Sequence, residues 1–208
     1  LEFVARVKRN GSAVDNPIEV LRAFGQLPRV TEILAATGLG PNYAHVPKHL
    51  LDHAAQRGTA LHLAIQLYHE DDLDEDSLHP EVAPGFSSYR KFLVESRHEP
   101  LHTEIEVIHP MWHYVGHPDR IGFLNEKRVI LDFKYMETVK LAPAVLQMTA
   151  YKLAWEAMYP DSPLAGGYVL QLKRDGTYRL HHTPLDQKAE QTFLAALVVY
   201  RAIEENAR

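Results

Sequence analysis

Apolar and polar residues along this chain repeat with one period in its first half and another in its second. Leu51, Ala54, Ala55, Leu61, Ala64, Ile65 and Tyr68 recur at helical spacing and predict a long helix over residues 50–68. Gly58 inside it marks a local weakness or a close approach of another backbone. Shorter helices are expected over residues 31–37, closed by Gly38, and over 84–95. Another is expected over 18–24, with Asn16 as cap and Pro17 at the first helical position. After residue 100 the pattern changes. Ile105 and Val107 alternate with Glu104 and Glu106, which predicts a strand over 104–109. Residues 114–124 and 129–134 read as two more strands around a turn at Asn125–Arg128. Helical spacing returns over 143–158. Strands over 167–172 and 178–182 flank Lys173-Arg174-Asp175-Gly176, a hairpin turn with an Asp-Gly signal. A helix over 184–205 closes the chain. The expected fold is α/β in the broad sense (α+β), a central mixed β-sheet flanked by helices. It is read as a single domain over 1–208, with a mainly helical elaboration over 1–100 and a sheet core over 101–208.

Composition narrows the chemistry. The sequence is 46% hydrophobic and 24% charged, as in ordinary globular domains. It has no cysteine, which excludes disulfides, thiolate zinc sites, a cysteine nucleophile and a cysteine-held iron–sulfur cluster within these residues. The net charge of −5 is opposite in sign to the basic footprint expected of a nucleic-acid binder. Six of the acids, however, fall between Glu70 and Asp76, and without them 22 bases face 21 acids. That run reads as a solvated loop; it lacks the spaced ligands and central glycine of a calcium loop. No window is apolar over the roughly 18 residues of a membrane span, and residues 1–10 lack the apolar core of a signal peptide. A start at Leu1 is compatible with a tag remnant or processing. The expected setting is cytoplasmic, in a bacterial or phage-infected cell.

The informative stretch is Gly116-His117-Pro118-Asp119, then Asp132-Phe133-Lys134, then Gln147 to Tyr151. Asp132 and Lys134 are two apart on a strand and share a face. A two-residue turn at Asn125-Glu126 places Asp119 opposite Asp132; a four-residue turn places it opposite Lys134. Either puts all three on one face, with Cβ atoms of opposed residues about 4.5–5.5 Å apart. A three-residue turn or a bulge near Pro118 breaks the relationship. Two ionised carboxylates that close repel each other, and Mg²⁺ or Mn²⁺ relieves the repulsion while keeping sites for water and phosphate. Lys134 beside them can act on water or on developing phosphorane charge.

These residues resemble the PD-(D/E)XK nuclease superfamily, most closely its RecB-like exonuclease branch, which includes phage nucleases and the mitochondrial genome maintenance exonuclease. Gly58-Thr59-Ala60-Leu61-His62 resembles the helical His motif of that branch. Gly116–Asp119 resembles its Gly-x-x-Asp strand, Asp132-Phe133-Lys134 its acid-x-Lys strand, and Gln147–Tyr151 its Gln-x-x-x-Tyr helix. The second acid is Asp where Glu is commoner. The Pro28–Leu34 stretch is also similar to members of the branch. The resemblance implies that His62, Asp119, Asp132 and the Phe133 carbonyl hold Mg²⁺ or Mn²⁺, and that Lys134 acts on the attacking water. Gln147 and Tyr151, four apart on one helix face, would position the strand or the lysine. The implied activity is a metal-dependent DNA exonuclease, working on DNA with a free single-stranded end by attack of metal-bound water. Alternatives are an endonuclease or flap nuclease with the same centre, and a non-catalytic DNA-binding module of the same fold.

Weaker expectations concern the surroundings. Arg120, Lys140, Lys152, Lys173 and Arg174 are candidates to bind phosphates, and Trp112, Tyr114 and Tyr135 to stack on bases. Each of these also reads as an ordinary surface or packing residue. Glu104 and Glu106 read as an exposed strand face, with a water-mediated contact to the metal as the alternative for one of them. His113, His117, His181 and His182 read as structural.

Overall fold

Residues 27–207 are described in a computed structural model; the helix expected over 18–24 lies outside them. Among the described residues the first elements are three helices: α1 (Val30–Ala36), α2 (Lys48–His69) and α3 (Ala83–Ser96). The acidic run between α2 and α3 holds one 3-10 turn, Glu75–Ser77. Five strands follow: β1 (Glu99–Thr103), β2 (Val107–His109), β3 (Tyr114–Gly116), β4 (Arg120–Leu124) and β5 (Lys127–Tyr135). Then come α4 (Leu141–Met158), β6 (Gly166–Leu172), β7 (Tyr178–Thr183) and α5 (Gln187–Asn206).

Five strands form a mixed sheet in the order β1-β4-β5-β6-β7, while β2 and β3 pair separately. Within this sheet, among the described residues, only β5 and β6 are parallel, because α4 carries the chain back between them. Helices cover both faces. Ile121, Ile130 and Val169 meet Ile33 of α1, Met148 of α4 and Phe193 of α5 on one side. Leu131, Phe133 and Leu170 meet Leu61 and Ile65 of α2 and Phe86 and Tyr89 of α3 on the other. Burial on both sides explains why β5 reads as an unbroken run rather than an alternation. The architecture is the mixed sheet with flanking helices expected from the sequence.

Three boundaries differ from the sequence expectation. The sequence pattern does not predict strand β1: Pro100 and two further exposed residues, Glu99 and Leu101, obscure it, as befits an edge strand. The strand expected over 104–109 keeps only Val107–His109, because Glu104 turns the chain with φ of 49°. The single strand expected over 114–124 is two strands in different sheets, parted at His117-Pro118-Asp119. Pro118 has no N–H to give a ladder.

The turn between β4 and β5 has two residues. Leu124 pairs with Lys127, and Asn125 and Glu126 have φ of 49° and 62°. Two left-handed residues make the primed turn that suits the right-handed twist of the strands. The register it sets runs to Arg120 opposite Leu131.

Candidate metal and carboxylate site

Asp132 and Lys134 follow Ile130 at two-residue steps, on the sheet face covered by α4. One step past the Arg120–Leu131 pair, the register brings Asp119 to the same place. Its Oδ2 accepts the backbone N–H of Phe133 at 2.6 Å. Its Oδ1 lies 3.6 Å from Nδ1 of His62, which reaches in from α2 with its ring edge-on to Phe133 at 5.8 Å. Glu104 completes the group. Its Oε1 is 3.4 Å from the same His62 nitrogen, and its backbone N–H donates to the Asp119 carbonyl at 3.2 Å. One imidazole and two carboxylates thus offer ligand atoms within 4.8 Å of one another.

Asp132 is engaged differently. It is 2% exposed, and Lys134 Nζ sits 2.9 Å from Oδ1 and 2.8 Å from Oδ2. Only Oδ1 is aligned for a hydrogen bond, so Oδ2 keeps a lone pair without a donor. From α4, Gln147 Nε2 donates to the Tyr151 hydroxyl at 2.8 Å. The Tyr151 ring lies against Gly116, where any Cβ would collide with Cδ1 and Cε1.

Electrostatics couples these groups. Burial opposes charge on His62, but Asp119 and Glu104 outweigh it and raise its pKa to about 9. Burial raises the Asp119 pKa, with repulsion from Asp132 adding to it and His62 and Lys134 opposing. Burial also works against the Lys134 ammonium, yet Asp132 and Asp119 hold it firmly protonated. Tyr151 is pushed up, first by burial and then by the two aspartates. Without a cation, one protonated imidazole and one ammonium therefore face the three carboxylates of Glu104, Asp119 and Asp132. The donor set can hold a divalent cation: the carboxylate oxygens suit Mg²⁺ and Mn²⁺, and the imidazole adds one softer nitrogen ligand.

The residues considered for substrate contact scatter. Arg120 is fully buried, since alternation along β4 turns it to the face opposite Asp119. Its guanidinium lies 5.9 Å from the Phe133 ring centre and none of its nitrogens has a hydrogen-bond partner. It cannot meet a surface phosphate there. Lys152 is held by Glu156 at 2.8 Å and Glu190 at 3.7 Å, on the side of α4 toward α5. Lys140 is exposed at the start of α4, Arg174 is exposed and Lys173 half-buried in the β6–β7 turn. Tyr114 is buried with its hydroxyl donating to the Ala150 carbonyl at 2.8 Å, and Tyr135 is also buried, so neither presents a face to a base. Trp112 is half-buried and packs against the core. His117 faces Glu106 at 3.4 Å, His181 meets Gln171 at 2.8 Å, and His182 packs edge-on against Tyr168. His113 is exposed.

Sequence reasoning undervalued Glu104, whose approach depends on a left-handed residue that alternation does not signal.

Neither the family models nor the curated proteins yield a match to this chain. Among solved structures, one described as the crystal structure of SSO0001 aligns with a TM-score of 0.31 and 14% identity. The alignment covers 55% of this chain and 56% of that one, so this chain spans just over half of its length. At that similarity it carries no argument about function.

Proposed function

We propose that this protein is a Mg²⁺- or Mn²⁺-dependent deoxyribonuclease, acting as an exonuclease on DNA with a free single-stranded end. The observation that supports the reading is the meeting of Asp119, His62 and Glu104 beside the Asp132–Lys134 pair, where β4 begins. His62, Glu104, Asp119 and the free lone pair of Asp132 would hold the cation, together with the Phe133 carbonyl. A bound divalent ion would polarise the phosphoryl oxygens and acidify water.

The chain's own residues supply the rest. Water attacks phosphorus, the bond to the leaving oxygen breaks, and a phosphomonoester and an alcohol result. Lys134, fixed by Asp132 and permanently charged, orients the water and stabilises the negative charge that builds on the phosphoryl oxygens. Tyr151, steadied by Gln147 and seated on Gly116, walls the lysine on the α4 side and presents a hydroxyl to the strand. RecB-like exonucleases of the PD-(D/E)XK superfamily remain the family this arrangement resembles.

The test compares wild type with Lys134→Ala and Asp119→Asn on linear and circular single-stranded DNA, in Mn²⁺ and in EDTA. The reading expects metal-dependent loss of linear substrate and at least a hundredfold fall in both variants, roughly the scale of a lost electrostatic catalyst. Equal, metal-independent activity in all samples would sink it. Cutting of circles as fast as linear strands would leave the chemistry and make the enzyme an endonuclease.

A further inference from the structure

We infer that Gln171, aimed by His181, is a positioning residue that keeps Lys134 on Asp132 and fixes the loop between β5 and α4. This rests on the nuclease reading above. Gln171 is 3% exposed, within the buried run Val169–Leu172 of β6. An amide in such a place is costly unless its donors and its acceptor are used. Here they are. Its Nε2 donates to the Met136 carbonyl at 3.0 Å and to the Glu137 carbonyl at 2.8 Å. Its Oε1 lies 2.8 Å from Nε2 of His181. Carbonyls only accept, so the amide nitrogen faces the loop and the amide oxygen faces the histidine, whose Nε2 therefore carries the hydrogen.

Register places this amide beside Lys134. Gln171 is the partner of Lys134 in the parallel β5–β6 ladder, as Val169 is of Asp132. Such partners stand on one face of the sheet, on strands about 4.8 Å apart. That face is the one covered by α4, where Ile130 and Val169 pack. His181 pairs with Val169 between β6 and β7, one diagonal step from Gln171 on the same face. A row of contacts thus runs from β7 through β6 to the end of the strand that carries Lys134.

Met136 and Glu137 are the first residues after β5, which ends at Tyr135. Residues 136–140 then lead into α4, the helix of Gln147 and Tyr151. By clamping both carbonyls, one side chain fixes the exit of the Lys134 strand and the entry to that helix. It also occupies acceptors that lie two and three residues beyond Lys134. Left without donors, those carbonyls become rivals of Asp132 for the ammonium. Glutamine suits the task because one nitrogen carries two donors. Glutamate has the same shape, no donor when ionised, and a charge that draws Lys134 to itself.

The experiment uses the full chain at a temperature where each variant is folded by circular dichroism. Variants are Gln171→Met, Gln171→Glu and His181→Phe. Ser88→Ala is the control: it removes a buried bond to the Lys173 carbonyl on the opposite side of the sheet. Turnover is followed in Mn²⁺ on linear single-stranded DNA. The Lys134 ammonium is followed by ¹⁵N NMR in EDTA, its signal assigned with Lys134→Ala. Gln171→Met should lower kcat roughly tenfold to a hundredfold with KM within about twofold, as for a displaced catalytic group. Gln171→Glu should fall further, close to Lys134→Ala, and should shift the Lys134 signal. His181→Phe should lower kcat by less, and should add nothing to Gln171→Met in the double variant. It decides the matter if Gln171→Met does not fold. Unchanged kcat and an unmoved Lys134 signal in Gln171→Glu and His181→Phe, in a protein that cleaves DNA with metal, would overturn the positioning role and spare the nuclease reading. An equal fall of kcat in Ser88→Ala would overturn it too, as general loosening. A Lys134 signal that shifts in Gln171→Glu, in a protein that cleaves nothing, would keep the lysine clamp and overturn the nuclease reading.

Discussion

The phenol of Tyr151 occupies the volume that a Cβ at position 116 would need, so Gly116 and Tyr151 are fitted to each other. The glycine is required here for close approach, not for its backbone angles. Gly116→Ala must move either the buried β3 backbone or the ring, which is packed in the core with its hydroxyl accepting from Gln147. We expect a loss of about 1–3 kcal/mol in stability, as for an overpacked core. Activity at a temperature where the variant is fully folded should fall at least tenfold. Denaturant unfolding and rate measurements on one sample check both, and retained activity would remove Tyr151 from the working site.

Metal binding should release protons. With His62 raised to about 9, the metal-free protein carries an imidazolium beside Asp119 and Glu104 at neutral pH. A cation that takes the imidazole nitrogen must displace that proton. Affinity for Mn²⁺ should therefore rise as pH goes from 6.5 to about 9, and His62→Ala should flatten that rise. Calorimetry in two buffers of different ionisation enthalpy counts the protons. The same shift has a stability consequence with the sign worked through. The folded pKa is above the unfolded one, so the stabilising contribution of His62 is full below pH 6.5 and fades as pH rises toward 9.

Arg120 should govern the titration of two distant-looking histidines. His69 and His98 are lowered to about 4, first by burial and then by the Arg120 charge. Arg120→Met removes the second cause and keeps an apolar stem of similar length. Both histidines should then titrate higher, toward but not reaching 6.5, as read from imidazole NMR signals. In the wild type they favour the neutral form, so their stabilising contribution is present above pH 6.5 and is lost as pH falls toward 4. His98 alone, 6% exposed, should account for roughly 1–3 kcal/mol of that acid sensitivity.

The β4–β5 turn can be improved. Glu126 sits at φ of 62° with a side chain, a conformation that costs an L-residue about 1 kcal/mol and glycine little. Glu126→Gly creates the Asn-Gly pair favoured in this turn. We expect a gain of about 0.5–1 kcal/mol in thermal or denaturant unfolding, with unchanged chemistry at the site.

Much of this arrangement was legible because it rests on arithmetic. Helices α2, α4 and α5 follow from 3.6-residue spacing, and the shared face of Asp119, Asp132 and Lys134 follows from the parity of a two-residue turn. Sequence alone left the choice between a two- and a four-residue turn open, since both keep parity. What escaped detection depends on single backbone angles or on distant packing. Glu104 arrives through one left-handed residue, and β1 is an edge strand with a proline. Arg120 and Asp119 are adjacent in sequence yet face opposite ways, so a basic residue next to an acid was misread as a surface contact.

The proline that parts β3 from β4 subtracts one hydrogen bond from the sheet at a telling position. By the register of the hairpin, Pro118 stands opposite Phe133, in the class of pairs that would exchange two backbone bonds. The Asp119 carboxylate takes the Phe133 N–H instead. The Phe133 carbonyl looks the same way as its own N–H and finds at Pro118 a residue with nothing to donate. Replacing Pro118 with any other amino acid would offer that oxygen a donor of its own, and with it a competitor for whatever cation comes to rest there.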